Sequence, residues 1–479
     1  MITRIKIDGF KSLLNTELYF DTFTCIAGVN AIGKSNFFDA LMFLSKLADH
    51  TIVDAAKSIR SENQKHSEIK DIFYKNGNDY YSKMSFEVDM LVARSAEDDL
   101  GQMAEASITS LRYVLELQLN QENSNRELIE IIKEELKPIP RTEARKNIHF
   151  NPSTEWVRSV IYGQKTTSFI STENNKVRLH QDGGGGRTTL FIAEKMPRTL
   201  LSTVTAESPT AFMVRHEMRN WLMLQLEPSA LREPNSIYEV KNAEMTAYGN
   251  NLPATLYRLH LAEKEGSVYQ RLTNQMKELV PSVDEIMIDN DEKRNLLTLQ
   301  IRFKDGLVLP AQSLSDGTLR FLGLAILKED NRSGNLICLE EPENGIHPKK
   351  IVEIVNLLKA MASDVEDTTD DSNPLRQVII NSHSPLVVSS VPEDSLYLAS
   401  DTEEYSDFFK RKIRYTSFYA LSGTWRVKNK LCEAIHLGAI MDYLSSEAKG
   451  DELGSTQGTI RNKGERTVKE NASNQLALF

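Results

Sequence analysis

Residues 23–47 read FTCIAGVNAIGKSNFFDALMFLSKL, and this stretch decides the fold. It begins with a short apolar run, FTCIA, of the kind that forms a buried central strand. After Lys34, apolar residues recur at helical spacing, at Phe38, Leu41 and Leu44. The order of elements is therefore a strand, a glycine-bearing loop and a helix, which indicates an α/β architecture.

The loop GVNAIGKS (28–35) fits the spacing G-x-x-x-x-G-K-[ST], whose residue types suit a nucleoside phosphate. Gly28 and Gly33 let backbone amides approach a phosphate closely, and Lys34 reaches the β- and γ-phosphates. Ser35 presents its hydroxyl to Mg²⁺, and the following helix directs its positive N-terminus at the anion. The structural alternative is a plain glycine turn, but the flanking strand and helix favour a phosphate loop.

The composition excludes several classes of protein. The 479 residues are 40% hydrophobic and 26% charged, which is typical of a globular protein of two or three domains. A net charge of −10 disfavours wrapping of a polyanion by the whole surface. No apolar stretch approaches the roughly 18 residues of a membrane helix, and Cys25, Cys338 and Cys432 lack disulfide or zinc spacing. We therefore expect a cytoplasmic protein without membrane contact.

Two carboxylates follow another apolar run, in the sequence LICLEE (336–341). If this run is a parallel strand, Glu340 and Glu341 lie at the sheet edge where ligands bind. Glu340 can then hold Mg²⁺, directly or through water, and Glu341 can orient the attacking water of a phosphoryl transfer. The alternative is a pair of solvated acids at a strand end.

Two further elements are less specific by themselves. SLSDGTLR (313–320) places Ser315 and Gly317 at the start of a helix, which can bind an anion or can be an ordinary N-cap turn. His383 follows the apolar run RQVIIN (376–381), and it is either structural or placed to contact a γ-phosphate.

With these elements in this order, the sequence resembles an ABC-type ATPase of the RecF/SMC/OLD kind. GVNAIGKS matches the phosphate loop of that family and LSDGT (314–318) resembles its signature turn. LICLEEPENGIHP (336–348) matches the Walker B strand with its following loop, and INSHSP (380–385) matches the switch. The opening phrase IDGFKSL (7–13) resembles the first strand of the family. The resemblance covers about half of the chain.

The resemblance implies roles for particular residues. The implied nucleotide contacts are Lys11, Gly28, Asn30, Ala31, Ile32, Gly33, Lys34, Ser35, Asn36, Ser315 and Gly317. The implied catalytic residues are Lys34, Glu341 and His383, and the implied metal ligands are Ser35 and Glu340. Glu340 stands where Asp is usual and Asp316 where a glycine is often found, while Gln64 is a weak candidate for the Q-loop.

The implied fold is an α/β ABC ATPase head with a mixed central sheet and flanking helices, interrupted by an α+β or helical insertion. The predicted parts are a first ATPase lobe (1–95), an insertion (96–235), a second ATPase lobe (236–400), a C-terminal α/β extension (401–450) and a flexible tail (451–479). Because the insertion lacks sustained heptads, we expect a compact arm and not a long coiled coil.

The implied activity is Mg²⁺-dependent ATP hydrolysis by two copies paired head to tail, with ATP shared between them. No Asp-x-Asp follows His383, so we expect no appended nuclease of the Toprim type. The leading hypothesis is a nucleotide-gated sensor in bacterial antiphage defence, working with a separate effector such as a nuclease. One alternative is a RecF-like DNA-repair ATPase, in which the basic stretch 408–430 contacts DNA. Another is a nucleotide-dependent scaffold with negligible turnover.

Overall fold

The computed structural model describes residues 1–59, 68–120, 128–182, 190–263, 267–436 and 438. The strands in these ranges are β1 (Ile2–Asp8), β2 (Thr16–Tyr19), β3 (Phe23–Ala27), β4 (Lys75–Asn76), β5 (Asp79–Tyr80), β6 (Lys83–Leu91), β7 (Ser95–Glu97), β8 (Met103–Glu105), β9 (Ser110–Asn120), β10 (Leu128–Pro138), β11 (Ile170–Glu173), β12 (Lys176–Leu179), β13 (Leu190–Ile192), β14 (Trp221–Leu224), β15 (Asn235–Ser236), β16 (Val283–Asp291), β17 (Leu296–Phe303), β18 (Val308–Pro310), β19 (Leu336–Glu340), β20 (Gln377–Ser382), β21 (Leu396–Ser406), β22 (Arg411–Leu421) and β23 (Glu433–Ile435).

The helices in the same ranges are α1 (Lys34–Leu47), α2 (Ile52–Ser58), α3 (Arg141–Asn147), α4 (Thr154–Val160), α5 (Pro209–Arg219), α6 (Pro228–Leu231), α7 (Leu252–Ala262), α8 (Val268–Leu279), α9 (Asp316–Glu329), α10 (Ile351–Met361), α11 (Pro385–Ser390) and α12 (Trp425–Lys428). None of these described helices has the length and apolar character needed to cross a membrane. Gln64 and the predicted tail, 451–479, lie outside the described residues.

A seven-stranded sheet has the phosphate-loop strand at its centre. Its order is β14-β19-β20-β3-β21-β22-β23, and the first five strands run parallel. Glu340 lies opposite Asn381, and Asn381 lies opposite Ile26. Because parallel strands end at one edge, the loops after β14, β19, β20 and β3 meet there. The sheet and its flanking helices confirm the predicted α/β fold class.

An eight-stranded antiparallel sheet, ordered β13-β12-β11-β10-β9-β6-β1-β2, forms a second layer. The range 96–235, predicted as an insertion, supplies β9 to β13 to this sheet and β14 to the seven-stranded sheet. Likewise, β22 and β23 of the predicted C-terminal extension complete the seven-stranded sheet. These strands of the insertion and of the extension therefore belong to the two large sheets, and the five-part division of the chain stays a prediction.

Helix α1 packs between the two large sheets. Strand β3 is buried along its length, and its side chains alternate between two hydrophobic clusters. Ile26 faces the cluster that contains α1 and the antiparallel sheet, whereas Cys25 faces the cluster around α9 and α10. Phe43 of α1 reaches β6, with its ring 5.9 Å from that of Phe86. This packing fixes the position of the helix that begins at Lys34, because close-packed interiors resist displacement.

Candidate functional site: a phosphate loop beside paired catalytic side chains

The phosphate loop joins β3 to α1 and presents an open helix N-terminus. Gly33 caps α1 with φ +97°, and the first turn contains no acidic residue to compete with an anion. Lys34 is buried, and its Nζ donates to the carbonyl oxygens of Gly28 and Val29 at 2.6 Å each. Ser35 lies in the first turn, so its hydroxyl is at the end where the helix dipole favours negative charge.

The tip of the loop faces solvent. Asn30 and Ala31 are exposed, and Ala31 has a left-handed backbone with φ +60°. Ile32 is buried, and its carbonyl oxygen accepts a hydrogen bond of 2.8 Å from Oγ1 of Thr416, on β22. Sequence reasoning missed Thr416, because a residue so distant in the chain gives no local signal.

A polar network supports the loop from the opening strand-and-turn segment. Oγ of Ser12 lies 2.7 Å from Oγ1 of Thr416 and accepts from Nδ2 of Asn36 at 2.8 Å. Lys11 pairs with the buried Asp39 of α1, Nζ to Oδ2 at 2.7 Å. The structure therefore places Lys11 and Asn36 beside the phosphate loop, and their contact with a nucleotide stays a prediction.

Glu341 and His383 meet at the carboxyl edge of the sheet. Oε1 of Glu341 lies 3.0 Å from Nδ1 of His383, which follows the neighbouring strand β20. Oε2 of Glu341 accepts from Nδ2 of Asn344 at 2.7 Å. Glu341 adopts φ +48°, a left-handed conformation that is unusual for a residue with a side chain and that clusters at functional sites. Glu340, the last residue of β19, lies in register with Ile26, about 10 Å away across two strand spacings.

A third carboxylate ties the same two loops together. Oε1 of Glu343 accepts from Oγ of Ser382 at 2.5 Å, and that hydroxyl accepts from the backbone N–H of Ser384. Burial raises the pKa of Glu343. Burial, with a smaller effect of Glu343, also raises the pKa of the Cys25 thiol, so Cys25 is inert at neutral pH.

The signature turn lies on the β14–β19 side of this edge. Ser315 is exposed and caps α9, and its Oγ accepts from the backbone N–H of Thr318 at 3.3 Å. Gly317 is buried against Gly345, because a Cβ at Gly317 would overlap the carbonyl oxygen of Gly345. Arg232 holds the turn through the carbonyl oxygen of Leu314 at 2.9 Å. The turn therefore adjoins the loop after Glu341, whereas the phosphate loop follows β3, two strands further along.

Gln225 is a candidate site residue that sequence reasoning missed. It follows β14 and, with Glu340 and Glu341, lines a cavity of about 390 Å³. Gln225 lies at the end of a parallel strand, beside the carboxylates, where a Q-loop residue is expected. The sequence had offered Gln64 as the candidate for that role. The signal that could have found it is the short apolar run WLML (221–224) that precedes it.

One protein family matches part of the chain. Residues 258–389 match the family described as an AAA domain, putative AbiEii toxin, Type IV TA system. The matched range contains Ser315, Glu340, Glu341 and His383, whereas GVNAIGKS lies outside it. No curated relative matched the sequence.

Three solved structures resemble the chain at low sequence identity. An Smc head bound to the C-winged helix domain of ScpA has a TM-score of 0.46 and 12% identity, covering 88% of this chain and 98% of that one. An SMC head domain from Thermotoga maritima has a TM-score of 0.36 and 12% identity, covering 88% and 99%. An Smc head with an extended coiled coil, bound to the C-terminal domain of ScpA from Pyrococcus furiosus, has a TM-score of 0.40 and 11% identity, covering 90% and 99%.

The fold assignment rests on the sheet order and on the motif positions along its edge. Phosphate loop, Walker B carboxylates and switch histidine follow three parallel neighbours in the same sheet, β3, β19 and β20. Residues 258–389 thus match an AAA-domain family, and the motif positions along the sheet edge agree with the resemblance of the sequence to ABC-type ATPases.

Proposed function

We propose that the chain binds and hydrolyses ATP at the edge of the seven-stranded sheet. The observation that carries the proposal is the contact between Glu341 and His383 at 3.0 Å, after β19 and β20, of which β20 lies directly beside the phosphate-loop strand β3. Lys34 and the open N-terminus of α1 bind the β- and γ-phosphates. Lys11 is close enough to α1, through its pair with Asp39, to add positive charge near the same phosphates.

The oxygen donors at this edge suit Mg²⁺. Ser35 supplies a hydroxyl and Glu340 a carboxylate, and Mg²⁺ is usually held by one or two protein oxygens together with phosphates and water. Within the described ranges, no cluster of three His, Cys, Asp or Glu side chains forms an all-protein metal cage, which agrees with that mode. When bound, Mg²⁺ neutralises negative charge on the phosphates.

Glu341 orients and polarises the attacking water in this proposal. Its side chain is held from two directions, by His383 at Oε1 and by Asn344 at Oε2. A carboxylate fixed in this way loses less entropy when it positions a water molecule. Positioning of the reacting groups provides much of the rate at phosphoryl-transfer sites. His383 orients Glu341 through one ring nitrogen, and its other ring nitrogen is left to contact the γ-phosphate.

Two copies pair head to tail and share each ATP. Ser315 is exposed at the N-terminus of α9, on the β14–β19 side of the edge, whereas the phosphate loop follows β3. A second copy can therefore bring its Ser315 and Gly317 to the nucleotide held by Lys34. In this arrangement ATP stabilises the pair and hydrolysis releases it.

The biological role that we propose is a nucleotide-gated sensor or scaffold in bacterial antiphage defence, with a separate effector such as a nuclease. Support comes from the matched family, whose description names a putative toxin and a toxin–antitoxin system.

The contacts made by the basic stretch 408–430 disfavour the RecF-like alternative, in which DNA binding is the main function. Three of its cations are paired with carboxylates, as Arg411–Asp79, Lys412–Glu403 and Arg414–Asp401. A fourth, Arg426, is fully buried.

Substitution of two residues tests the proposed function. Lys34→Ala should abolish binding of ATP, measured by calorimetry, because it removes the cation that reaches the phosphates. Glu341→Gln should keep ATP binding, stop turnover and accumulate the paired state in analytical ultracentrifugation. Lys304→Ala and Glu292→Gln, both on the exposed surface, are the matched controls and should behave as wild type.

Three outcomes would contradict parts of the proposal. If wild type turns over no faster than Lys34→Ala, the chain is not a working ATPase and the scaffold alternative is favoured. If ATP changes the size of neither wild type nor Glu341→Gln, the head-to-tail pairing is wrong. Stimulation of turnover by DNA would favour the RecF-like alternative, whereas stable co-purification with a nuclease would favour the defence role.

A further inference from the structure

The eight-stranded sheet ends in an apolar edge at β13. Leu190, Phe191 and Ile192 follow one another in the chain and are 48%, 40% and 42% exposed. β13 is the last strand in the sheet order, and among the described residues no strand pairs with its outer side. Consecutive exposed apolar residues on an edge strand promote aggregation unless a partner covers them.

The outer side of β13 directs backbone N–H groups away from the sheet. The N–H of Ala193 donates to the carbonyl oxygen of Asn175 at 3.0 Å, which fixes the alternation of hydrogen bonds along β12 and β13. By that alternation, the N–H groups of Leu190 and Ile192 point away from β12. An extended segment of another chain can accept from these groups and so add a strand to the sheet.

One face of this edge is positively charged. Lys176 and Arg178 of β12 lie directly opposite Ile192 and Leu190, and cross-strand partners share a face of the sheet. Lys195 follows β13 in the next turn and is exposed. The net charge of the chain is −10, so this group of cations is a local exception.

The cations beside β13 are not neutralised by neighbouring acids. The carboxylates nearest to them in sequence are Glu173 and Glu194. In the part of the chain that the structure describes, neither carboxylate forms an ion pair with Lys176, Arg178 or Lys195. The charge on this face is therefore available to a partner.

The opposite face of the edge continues the hydrophobic core. Val177, the cross-strand partner of Phe191, is fully buried in the cluster that contains α1. A strand that joins β13 would meet this apolar face on one side and the positively charged face on the other. Because side chains alternate between the faces of a strand, the edge suits a segment in which apolar and acidic residues alternate.

A second copy of the chain is a poor occupant of the edge. Isologous pairing of two β13 strands would bring Lys176 and Arg178 of both copies onto one face of the joined sheet, where like charges repel. The carboxylates of an acidic strand would instead lie about 10 Å, two strand spacings, from the backbone of β12. Long side chains of opposite charge can span that distance.

We propose that the outer side of β13 is a docking edge for a partner protein, which adds an extended acidic segment to the eight-stranded sheet. Apolar residues at every second position of the segment pack beside Phe191, and the Asp or Glu residues between them face Lys176 and Arg178. The proposal goes beyond the proposed function, because it concerns the antiparallel sheet and requires no ATP.

Peptide binding by the full chain tests the charge preference of the docking edge. The probe is a labelled short peptide that alternates Glu and Val, its control alternates Lys and Val, and the readout is fluorescence anisotropy at low salt. The Glu-Val peptide should bind at least about tenfold more tightly, and its Kd should rise with salt as the charges are screened. Lys176→Glu combined with Arg178→Glu should reverse the order of the two peptides. Arg294→Glu, at a position that is 78% exposed, is the matched control and should leave the order unchanged.

A proline substitution tests whether the segment binds as a strand. Leu190→Pro removes one outward N–H, whereas Leu190→Ala removes the same apolar side chain and keeps that N–H. The proline variant should bind the Glu-Val peptide about threefold or more weakly than the alanine variant, because a hydrogen bond is lost. Circular dichroism checks that both variants fold, and the charge variants keep the test decisive if the proline variant does not.

Three results would overturn the docking edge. They are equal affinity of wild type for the two peptides, an order of affinities that Lys176→Glu with Arg178→Glu leaves unchanged, and equal binding by the folded proline and alanine variants. Self-association of the chain without ATP that Leu190→Pro abolishes would also overturn it, because a second copy would then occupy the edge. ATP turnover by wild type is measured separately, so the docking edge and the proposed function can fail independently.

Discussion

Substitution of Gly33 by alanine tests whether distant parts of the chain hold the phosphate loop. Gly33 has φ +97°, and a left-handed backbone costs alanine about 1–2 kcal/mol. A Cβ at this position would also overlap Oγ of Ser12 and Oγ1 of Thr416. Both hydroxyls would therefore have to move away from the loop.

Three hydrogen bonds depend on those hydroxyls. They are Ser12 to Thr416 at 2.7 Å, Thr416 to the carbonyl oxygen of Ile32 at 2.8 Å, and Asn36 to Ser12 at 2.8 Å. At about 0.5–1.5 kcal/mol each, their loss costs about 1.5–4.5 kcal/mol. The reduced entropy of the unfolded chain returns about 0.4–1 kcal/mol, so the free energy of unfolding should fall by about 1.5–6 kcal/mol.

The assay is urea denaturation followed by circular dichroism, in two backgrounds. In the wild-type background Gly33→Ala should show the full loss. In a background that carries Ser12→Ala and Thr416→Ala, the hydroxyls are absent and only the backbone cost less the unfolded-state return, about 0–1.6 kcal/mol, should remain. An equal cost in both backgrounds, or a loss below about 1 kcal/mol in wild type, would refute the reasoning.

Two other carboxylates give independent predictions. Glu134 is fully buried, accepts from the backbone N–H groups of Leu200 and Leu201, and burial raises its pKa to about 7. The folded state therefore binds the proton more tightly, and the stability that this group contributes is complete below about pH 4.5 and lost as the pH rises through about 7. Between about pH 4.5 and pH 7, the free energy of unfolding of wild type should fall by about 3 kcal/mol relative to that of Glu134→Gln, which cannot titrate at this position. If the free energies of unfolding of the two proteins change in parallel with pH, the prediction is wrong. Glu340→Ala should raise the Mg²⁺ concentration that gives half-maximal ATPase activity about tenfold or more. Glu340→Asp and the surface control Glu292→Ala should change that concentration by no more than about threefold. An unchanged Mg²⁺ requirement in Glu340→Ala would exclude Glu340 from the metal site.

The phosphate loop and the residues at the strand ends could be predicted from the sequence, because each is marked by a pattern of neighbouring residues. GVNAIGKS places strand, loop and helix within one segment, and α1 begins at Lys34 as predicted. Glu341 and His383 each follow an apolar run, and runs of that kind become parallel neighbours whose ends meet. Their contact at 3.0 Å follows from the order of strands in the folded sheet, which was not predicted from the sequence.

Other features depend on contacts that no local pattern encodes. Strand β10, Leu128–Pro138, has a sequence, LIEIIKEELKP, whose periodicity does not distinguish strand from helix. A register shift between Ile131 and Lys133 explains the ambiguity, because it changes which alternate residues are buried, from Ile129 and Ile131 to Glu134 and Leu136. Gln225 and Thr416 were missed because each lies near residues that only the folded sheet order brings close.

The position of β3 in the middle of its sheet has a consequence during synthesis. Its partners β20 and β21 are translated hundreds of residues later, and Thr416 lies 384 residues after the loop oxygen that it contacts. At about 5–20 residues per second, roughly 20–80 s pass on the ribosome between the two. Until β20 is made, the nascent segment FTCIA lacks both of its neighbours in the sheet, so the newly made chain should depend on chaperone protection until its last strands emerge.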